Sequence, residues 1–467
     1  MIRIATAVLT AACLFALVAS CTRENAAFCC TSPEDCAAKG VDEDIRPCAD
    51  GLACVANSCV AASCASAGCA AAAPVCEVAS DMCVGCSDSS DCARFAGTGV
   101  CDPVSSACVE CSASTDCDPA KPVCDGNACR ACTRDSECPS GACADDGACV
   151  LENAVVYVSP QGMDAAPCSQ GQPCKRLQFA IAQTSNARAH IVMATGEYVV
   201  SAQPIMLSAS TTSAATLSIH GGNSRIEGPT SSDGLFVISH PAVIRDLEID
   251  NPVGSPLQAS STVLLERIKV RGLDGLTVGG NVTMRDIDVR VERDSVAMSS
   301  GSISFDRGAI KGGMRGIVTT GSPVIDVKNV IISGTDAIGL DLVGASGSVS
   351  FVTVVNAGLS GTGATGLRCS APSFALTISA SIIWNILSTA RPSVEGACQV
   401  SASIIGPTGY SNNMNTDPGF ADVSQSDYRL GALSPARDRV DTGPGTDFEH
   451  DARPRGARFD LGADEAP

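Results

Sequence analysis

The residues of this chain that could do chemistry together are charged side chains between positions 285 and 307. They are Arg285, Asp286, Asp288, Asp306 and Arg307. Carboxylates that converge on calcium, beside an arginine that abstracts a proton, could cleave a uronate polymer by elimination. Two carboxylates on neighbouring strands could instead hydrolyse a glycosidic bond. Either arrangement would make the protein a polysaccharide-degrading enzyme.

Other residues that such enzymes use are sparse in this sequence. The four histidines are scattered, although His220 and His240 lie one repeat period apart and could stack. Aromatic residues, which provide stacking platforms for sugars, make up only 3% of the chain. We therefore predict no catalytic residue, no metal ion and no cofactor.

The same charges also fit a repeating structural pattern, with a period of about 20 residues that is typical of solenoids. One column of the aligned segments contains Arg245, Glu266, Arg285, Asp306 and Lys328, and the adjacent column contains Asp246, Arg267, Asp286 and Arg307. Signs alternate along each column, in opposite phase. In strands stacked about 4.8 Å apart, each charge would meet an opposite charge above, below and beside it. The columns therefore predict a ladder that controls register, with random surface charge as the alternative.

Residues 151–405 supply the strands that such a ladder requires. Short runs of alternating aliphatic residues recur between glycine-rich breaks, which indicates a solenoid in which each coil buries its face against its neighbours. Leucine-rich repeats share the period, but their leucine and asparagine signature is missing. A right-handed parallel β-helix fits better. Near its start, Leu177, Ala180 and Ile181 predict a short helix that covers the first coil.

Residues 29–150 contain most of the 28 cysteines. Four sets of four run from Cys64 to Cys149, and the sets begin at Cys64, Cys86, Cys111 and Cys132. Modules this short cannot bury a core, so cross-links must replace it. Zinc is the alternative, because Cys83 and Cys86 have ligand spacing, but no histidine lies in the region. Calcium is a second alternative, since residues 22–150 carry 20 acidic against 7 basic residues, without any repeated ligand spacing. We predict disulfides.

Two further cysteine pairs lie in the predicted β-helix. Cys168 and Cys174 would close a short loop near its start. Cys369 and Cys398 would cross-link neighbouring coils near its end, because a pairing with the distant first loop is geometrically poor.

Residues 1–20 are predicted to form a signal peptide, with Arg3 as its charged start and an apolar run from Ala5 to Val18. They end in Val18-Ala19-Ser20, and with Cys21 this ending resembles the lipobox of bacterial lipoproteins. The resemblance implies that Cys21 is acylated and begins the mature chain, with residues 21–28 as a tether. Removing Cys13 and Cys21 leaves 26 cysteines, an even number. An ordinary secretory signal is the alternative.

Residues 406–467 carry the most specific resemblance. The segments Asp417-Pro418-Gly419-Phe420, Ser434-Pro435-Ala436 and Asp460-Leu461-Gly462-Ala463-Asp464-Glu465 resemble the ending of extracellular right-handed, pectin-lyase-like β-helix proteins of the choice-of-anchor Q type. The resemblance implies a tail that closes the β-helix. Two departures from it are Arg437, where an aliphatic residue is usual, and Asp464, where an aromatic residue is usual.

The combined expectation is an all-β, exported protein on the outer membrane or surface of a diderm bacterium. It would be a non-catalytic scaffold for binding, adhesion or display, held off the membrane by a disulfide-rich stalk. A net charge of −19 argues against nucleic acid as a partner. The lipid anchor would contact the membrane, and the ligand would be a polysaccharide or another surface protein. The alternatives are a polysaccharide lyase or glycoside hydrolase, and a structural spacer of the envelope.

Overall fold

The computed structural model describes residues 52–55, 58–61, 64, 68–200, 203–228, 234–355, 365–370, 375–385 and 392–467. The chain divides into two compact units, Met1–Cys132 with Asp145–Ala148, and Thr133–Ala144 with Cys149–Pro467. The predicted signal peptide, Cys21, the tether and the cysteines from Cys29 to Cys48 lie outside the described residues. No helix in the described ranges is long and apolar enough to cross a membrane.

The first unit is a series of small antiparallel hairpins. Its strands are β1 (Leu52–Val55), β2 (Ser58–Ala61), β3 (Val75–Glu77), β4 (Met82–Val84), β5 (Val100–Cys101), β6 (Cys108–Val109), β7 (Val123–Asp125) and β8 (Ala128–Arg130). In the three repeats from Cys64 to Cys129 the first cysteine bonds the third and the second bonds the fourth, as in Cys86–Cys101 and Cys92–Cys108, and in the last repeat the second, Cys138, bonds the fourth, Cys149. Cys83 bonds Cys69 rather than its near neighbour Cys86. The prediction of disulfides is confirmed.

Acidic residues in these repeats bind backbone amides. Asp91 and Asp116 each lie in a 3-10 turn before the second cysteine of their repeat. Asp91 accepts the amide of Ser87 at 2.9 Å, and Asp116 accepts that of Ser112 at 2.8 Å. These amide contacts lower the pKa of both carboxyl groups. Local capping therefore explains the recurrent acidic residue without calcium.

The second unit is a parallel β-helix, as predicted, and its strands form two large parallel sheets. It contains β9 (Val155–Val158), α1 (Leu177–Ile181), β10 (His190–Met193), β11 (Glu197–Val199), β12 (Ile205–Leu207), β13 (Leu217–Glu227), β14 (Phe236–Ile238), β15 (Ala242–Asn251), β16 (Leu257–Ala259), β17 (Thr262–Gly272), β18 (Leu276–Val278), β19 (Asn281–Val291) and β20 (Asp294–Met298). It continues with β21 (Ser302–Lys311), β22 (Arg315–Thr319), β23 (Val324–Ser333), β24 (Ile338–Val343), β25 (Ser346–Val355), β26 (Thr365–Ser370), β27 (Leu376–Ser379), β28 (Ile382–Trp384), β29 (Val394–Gly396), β30 (Val400–Ser401), β31 (Ile404–Gly406), β32 (Phe420–Asp422) and β33 (Asp427–Leu430).

The two sheets have different strand lengths. The even-numbered strands from β12 to β26, followed by β29, form a nine-stranded sheet, which we call the short-strand sheet. The strands β13, β15, β17, β19, β21, β23 and β25 stack in the other sheet, which we call the long-strand sheet. The predicted helix is present as α1 and packs against β9 and β12.

Each long strand contains a sharp corner at a non-glycine residue. In β15, Ile244 and Ile249 both point into the core, although strict alternation from Ile244 would turn residue 249 outward. The alternation resets at Asp246, which has a left-handed backbone with φ 56°. Counterparts with φ between 46° and 61° are Asn223, Arg267, Asp286, Arg307, Asn329, Phe351, Ala380 and Ala402. The corner divides the sheet into a pre-corner face and a post-corner face.

Apolar columns fill the interior of the coils. The central column of the pre-corner segments is Ile244, Leu265, Met284, Phe305, Val327, Val349 and Ile378, paired in register from strand to strand. Each is at most 1% exposed. Parallel strands buried between neighbours need this uniform apolar column, because any polar member would lose its water without a partner.

The tail packs along the post-corner face of the last coils. Tyr428 and Ala463 contact Ile331 and Val355, which point outward from β23 and β25. Leu430, Ala436 and Leu461 pack with Phe351, Ile382 and Ile404. The amide of Ala463 donates to Thr353 Oγ1 at 2.9 Å. The segment therefore covers an apolar flank of the coils as well as following the last one.

Carboxylates buried in the tail hold its loops in place. Asp447, Asp460, Asp464 and Glu465 are each at most 4% exposed, and each accepts backbone amides. Asp464 accepts the amide of Leu430 at 2.6 Å. Burial raises the pKa of Asp464 to about 6, even though that hydrogen bond favours the ionised form. The unusual aspartate at this position therefore fixes strand β33 against the tail.

We predict that replacing Ile331 by Asp detaches the tail. The substitution buries a charge without a partner against Tyr428 and Ala463, and should lower the free energy of unfolding by about 3 kcal/mol. Thermal unfolding and limited proteolysis of residues 406–467 measure the effect. Ala309→Asp is the matched control, because Ala309 occupies the same column one coil earlier and is partly exposed. Equal effects of both substitutions would contradict the assigned tail contact.

We also predict that Asp464→Asn stabilises the protein at neutral pH. The folded-state pKa lies above the ordinary value of 3.8, so the favourable contribution is full below pH 3.8 and is lost as the pH rises through about 6. Asparagine keeps an acceptor for the Leu430 amide and removes this loss, which amounts to about 3 kcal/mol. Thermal unfolding from pH 4 to pH 7 measures it. The exposed Asp422, whose pKa is lowered, is the control, and Asp422→Asn should give no gain.

Candidate functional site

The first charge column forms one line across five coils. Arg245 lies opposite Glu266, which lies opposite Arg285. Asp306 and Lys328 follow in the same register. Arg245 Nε donates to Glu266 Oε2 at 2.7 Å. These neighbours lie on the pre-corner face, immediately before the left-handed corner.

The second charge column occupies the corner itself. Arg267 Nε donates to Asp246 Oδ1 at 2.6 Å, and Arg307 Nε donates to Asp286 Oδ1 at 2.9 Å. Each of these ion pairs therefore joins two successive coils, Asp246 with Arg267 and Asp286 with Arg307. Arginine rarely adopts a left-handed backbone, and both arginines do so here while bound to the aspartate of the preceding coil. Both arginines with the strained left-handed backbone therefore take part in an ion pair at the corner.

The charges of the predicted ladder are stacked in register, but not every one of them forms an ion pair with its neighbours in the column. Among the described residues Arg285 makes no ion pair, although Glu266 and Asp306 flank it in register. Asp306 instead accepts Arg307 at 3.0 Å and the side-chain amide of Asn329 at 2.9 Å. Lys328 pairs with Asp326 on its own strand at 3.5 Å. The corner turns neighbouring side chains toward each other, so some ion pairs form along a column and others, such as Arg307 with Asp306, join the two columns.

The five charged candidates for chemistry do not converge. Asp288 lies on the post-corner face, where its carboxylate accepts Arg271 Nη2 at 3.2 Å. Asp286 and Asp306 lie at and before the corner, and Arg307 binds both. Asp286 also contacts His450 Nε2 of the tail at 3.1 Å. Every one of the three carboxylates therefore has a cationic partner.

Sequence reasoning missed a second charge network, on the outer face of the short-strand sheet. Arg315 Nε donates to Asp294 Oδ1 at 2.7 Å, and its Nη1 donates to Asp341 at 3.2 Å. Arg368 binds Asp341 through two hydrogen bonds at 2.9 and 2.6 Å. The Asp341 side chain is 1% exposed, although Leu340 and Leu342 beside it point into the core. Two guanidinium groups therefore cover this carboxylate.

A third polar cluster joins the segment 133–144, which belongs to the last four-cysteine repeat, to the first coils. His220 Nδ1 lies 2.9 Å from Asp135 Oδ1, and His220 Nε2 lies 3.2 Å from His190 Nδ1. The imidazole of His220 is 2% exposed. The predicted stacking of His220 on His240 is wrong, because His240 Nε2 lies 2.8 Å from the carbonyl of Ala214. His190 takes that place, because it pairs with Ser218 and so lies two residues from the position opposite His220.

Asp135 departs from its counterparts in the other repeats. Ser89 Oγ accepts the amide of Cys101 at 3.2 Å, and Ser114 Oγ accepts that of Cys124 at 3.1 Å. Asp135 Oδ1 accepts the equivalent amide of Cys143 at 2.9 Å. The longer, charged side chain thus keeps the local cap and also reaches the buried His220.

The surroundings of Asp135 keep it ionised. Burial acts to raise its pKa, but the hydrogen bond and charge of His220, the Cys143 amide and Arg245 together lower it. A groove of about 650 Å³ opens beside it, lined by Asp135, Asp246 and Arg267 among others. Asp246 and Arg267 already bind each other there. The charges of Asp135, Asp246 and Arg267 in this groove therefore already have partners.

A hydrolase-like motif also escaped the sequence reasoning. The tripeptide Asn415-Thr416-Asp417 has the Asn-Thr-Asp pattern expected of a β-helix hydrolase. In the structure Asn415 Nδ2 donates to the carbonyl of Pro407 at 3.2 Å, and Asp417 Oδ1 accepts the amide of Gly419 at 2.8 Å. Both side chains therefore hold turns at the start of the tail.

The four cysteines assigned within the β-helix lie in two disulfides. Cys168 bonds Cys174 in the loop after β9; the Tyr157 amide donates to the carbonyl of Cys168, and the Cys174 amide donates to the carbonyl of Tyr157. Cys369 in β26 bonds Cys398, which follows β29. Because β26 pairs with β29, the second bridge connects neighbouring coils.

Comparisons with known proteins give fold likeness only. No family model matches the chain, and no curated protein matches it. Two similar solved structures are pectate lyase Pel9A and a rhamnogalacturonan lyase. The first has 12% identity and a TM-score of 0.41 over 67% of this chain and 96% of that chain. The second has 9% identity and a TM-score of 0.34 over 60% of this chain and 95% of that chain.

We predict that Asp135→Ser releases the segment 133–144 from the first coils without unfolding the segment. Serine retains the cap on Cys143, as Ser89 and Ser114 do in their repeats, but cannot reach His220. Hydrogen exchange should accelerate across residues 133–144, while the Cys143 amide stays protected. Asp135→Ala is the comparison variant, because alanine removes the cap as well and should expose that amide. Unchanged exchange in Asp135→Ser would show that the contact with His220 contributes nothing.

Proposed function

We propose that this chain is an exported, non-catalytic surface protein whose β-helix is a rigid scaffold for binding or display. The ion pairing of its carboxylates carries this proposal. Asp294 and Asp341, on the short-strand sheet, are bound by Arg315 and Arg368. Asp286 and Asp306 are bound by Arg307. Charges neutralised in this way hold coils in register.

Both enzymatic alternatives require carboxylates that this pairing occupies. A calcium-assisted lyase needs several carboxylate oxygens that converge on one cation. A glycoside hydrolase needs two carboxyl groups across the scissile bond, one as an acid and the other as a base or nucleophile. The guanidinium groups of Arg315 and Arg368 bind the carboxylate of Asp341 and so block its approach to a cation. The pairing therefore supports a scaffold over an enzyme.

Attachment to the membrane is proposed from the lipobox-like ending of the signal peptide. Acyl chains on Cys21 would hold the protein at the bilayer, since each buried methylene contributes about 0.8 kcal/mol. Thr22 after the cysteine favours sorting to the outer membrane. The disulfide repeats would then act as a protease-resistant stalk. The ligand would be a polysaccharide or another surface protein. If this protein binds no ligand, its role would be that of a structural spacer in the envelope.

We predict that Cys21→Ser moves the protein from the membrane fraction to the soluble fraction. The substitution removes the only thiol that the lipobox would acylate. Fractionation of cells, followed by detection of the protein, measures the shift. Cys13→Ser is the matched control, because Cys13 lies in the segment that would be removed, and membrane attachment should persist. Continued attachment of Cys21→Ser would contradict the lipid anchor.

We further predict that the purified full chain releases neither unsaturated uronate nor new reducing ends from acidic polysaccharides. Asp286, Asp306, Asp294 and Asp341 are bound by arginine, so among the described residues these four carboxylates provide neither a general acid nor a calcium site. Product absorbance and a reducing-sugar assay measure both reactions with calcium present. Product formation that disappears in Asp341→Asn would contradict the scaffold proposal and place an active site on the short-strand sheet. A glycan array and whole-cell binding then distinguish a binding scaffold from a spacer.

A further inference from the structure

The post-corner face carries its own charge columns. Its inner column is Glu197, Arg225, Glu248, Lys269 and Asp288, in register from β11 to β19. Signs alternate along this column. From the next coil the column becomes apolar, with Ala309 and then Ile331, which the tail covers. The charged part of the face therefore ends where the tail begins.

The outer column of the same face does not alternate. It is Glu227, Asp250, Arg271, Arg290 and Lys311, again in register. Two acidic residues are followed by three basic residues, so that Arg290 has a cation above it and a cation below it. Like charges directly opposite each other on neighbouring strands are destabilising. This column therefore costs stability that an alternating one would not.

Contacts within the chain relieve only part of this repulsion. Arg225 Nη2 donates to Asp250 at 2.6 Å. Asp288 serves both Arg271, at 3.2 Å, and Arg290, at 3.5 Å. Lys311 makes no ion pair among the described residues. At the acidic end, a hydrogen bond and repulsion from the neighbouring Glu197 raise the pKa of Glu227.

The charge pattern is complementary to itself under a two-fold rotation. The axis lies in the plane of the face, parallel to the strands, between the coil of Asp250 and the coil of Arg271. Rotation places Asp250 opposite Arg271 of a second copy, and Glu227 opposite Arg290. In the inner column it places Glu248 opposite Lys269, and Arg225 opposite Asp288. Every charge in these four coils thus faces the opposite charge.

The two outermost coils continue the match. The coil with Glu197 and Val199 faces the coil with Ala309 and Lys311 of the second copy. Glu197 lies opposite Ala309, and its charge meets that of Lys311 on the diagonal. Both molecules have the same rise of about 4.8 Å per coil, so the register holds across all six coils. A hypothetical outer column with alternating signs would also be complementary to itself under this axis. Complementarity alone therefore does not explain why the acidic and basic residues of the actual outer column are grouped in blocks.

We propose that two copies of this chain associate antiparallel through the post-corner face from Glu197 to Lys311. A two-fold interface uses the same patch on both molecules, which explains why acidic and basic blocks occur on one face. The blocks turn repulsion within one molecule into attraction between two. In the dimer, Arg290 and Lys311 of the second copy face the crowded carboxylates of Glu197 and Glu227.

The association is weak and sensitive to salt. Six coils span about 24 Å, which gives an interface at the small end of specific complexes. Its ion pairs are partly exposed, so each contributes little and is screened by added salt. Sedimentation of the full chain in a non-ionic detergent should show a monomer–dimer equilibrium at low salt that shifts to monomer as salt rises.

Charge reversal tests the pairing of Glu227 with Arg290. By symmetry each single substitution, Glu227→Arg or Arg290→Glu, changes two contacts in the dimer, and should weaken dimerisation by about tenfold. The double variant restores opposite charges in both contacts and should recover wild-type dimerisation. Glu152→Arg and Arg134→Glu, at exposed positions outside the face, are the matched controls and should leave it unchanged. Thermal unfolding of each variant verifies that it is folded.

Three results would overturn the proposal. The first is a wild-type chain that stays monomeric at low salt and high concentration. The second is a dimer that both single reversals leave intact, since the contact surface would then lie elsewhere. The third is a folded double variant that remains as weak as the single variants. If the single substitutions weakened dimerisation by misfolding the protein, the double variant would carry both defects and would not dimerise either. Recovery in the double variant therefore excludes misfolding as the cause.

Discussion

Direct stacking of successive coils is the constraint on which the rest of the second unit depends. Each side chain lies about 4.8 Å from its counterpart on the next coil. Whether a residue is tolerated at a position therefore depends on residues that are a whole coil away in sequence. Inside the coils this requires unbroken apolar columns, as from Ile244 to Ile378. Outside, a column is stable if its charges alternate, if arginines neutralise its carboxylates, or if something apolar covers it.

The post-corner face shows all three outcomes along one sheet. Its inner column alternates up to Asp288 and continues with the apolar residues Ala309 and Ile331. An apolar outer face on a parallel strand needs a second layer, because exposed Ile331 and Val355 would otherwise be left in water. The tail provides that layer. Its buried carboxylates cap loop amides, so a segment without long strands can still present a continuous apolar surface.

Much of the fold follows from the sequence because the constraint is periodic. The repeat of the coils, the two charge columns and the four-cysteine repeats all appear as spacings, whereas the connectivity of the disulfides does not. The left-handed corner does not, because its residue type varies from Asp246 and Arg267 to Phe351. Glycines mark the turns between strands, such as Gly301 and Gly321, whereas the corner inside each long strand is fixed by the coil as a whole.

The arginine network around Asp341 and the contact of Asp135 with His220 were hidden for a different reason. Asp294 and Arg315 are 21 positions apart, but Arg315 and Asp341 are separated by 26 and Asp341 and Arg368 by 27. Loops that lengthen between coils break the period on which alignment relies. Asp135 and His220 are 85 positions apart and belong to different repeats, so no spacing connects them. Contacts between unlike repeats require the folded chain.

Coil stacking is most directly measured by distances between spin labels on one exposed column. Thr262, Asn281, Ser302, Val324 and Ser346 occupy one such column in register. Labels introduced through an unnatural amino acid leave the disulfides intact. With one label at Thr262, the distance to a second label should increase by about 4.8 Å for each coil, so that Ser346 lies about 19 Å away. Distances that do not grow with coil number would contradict the account.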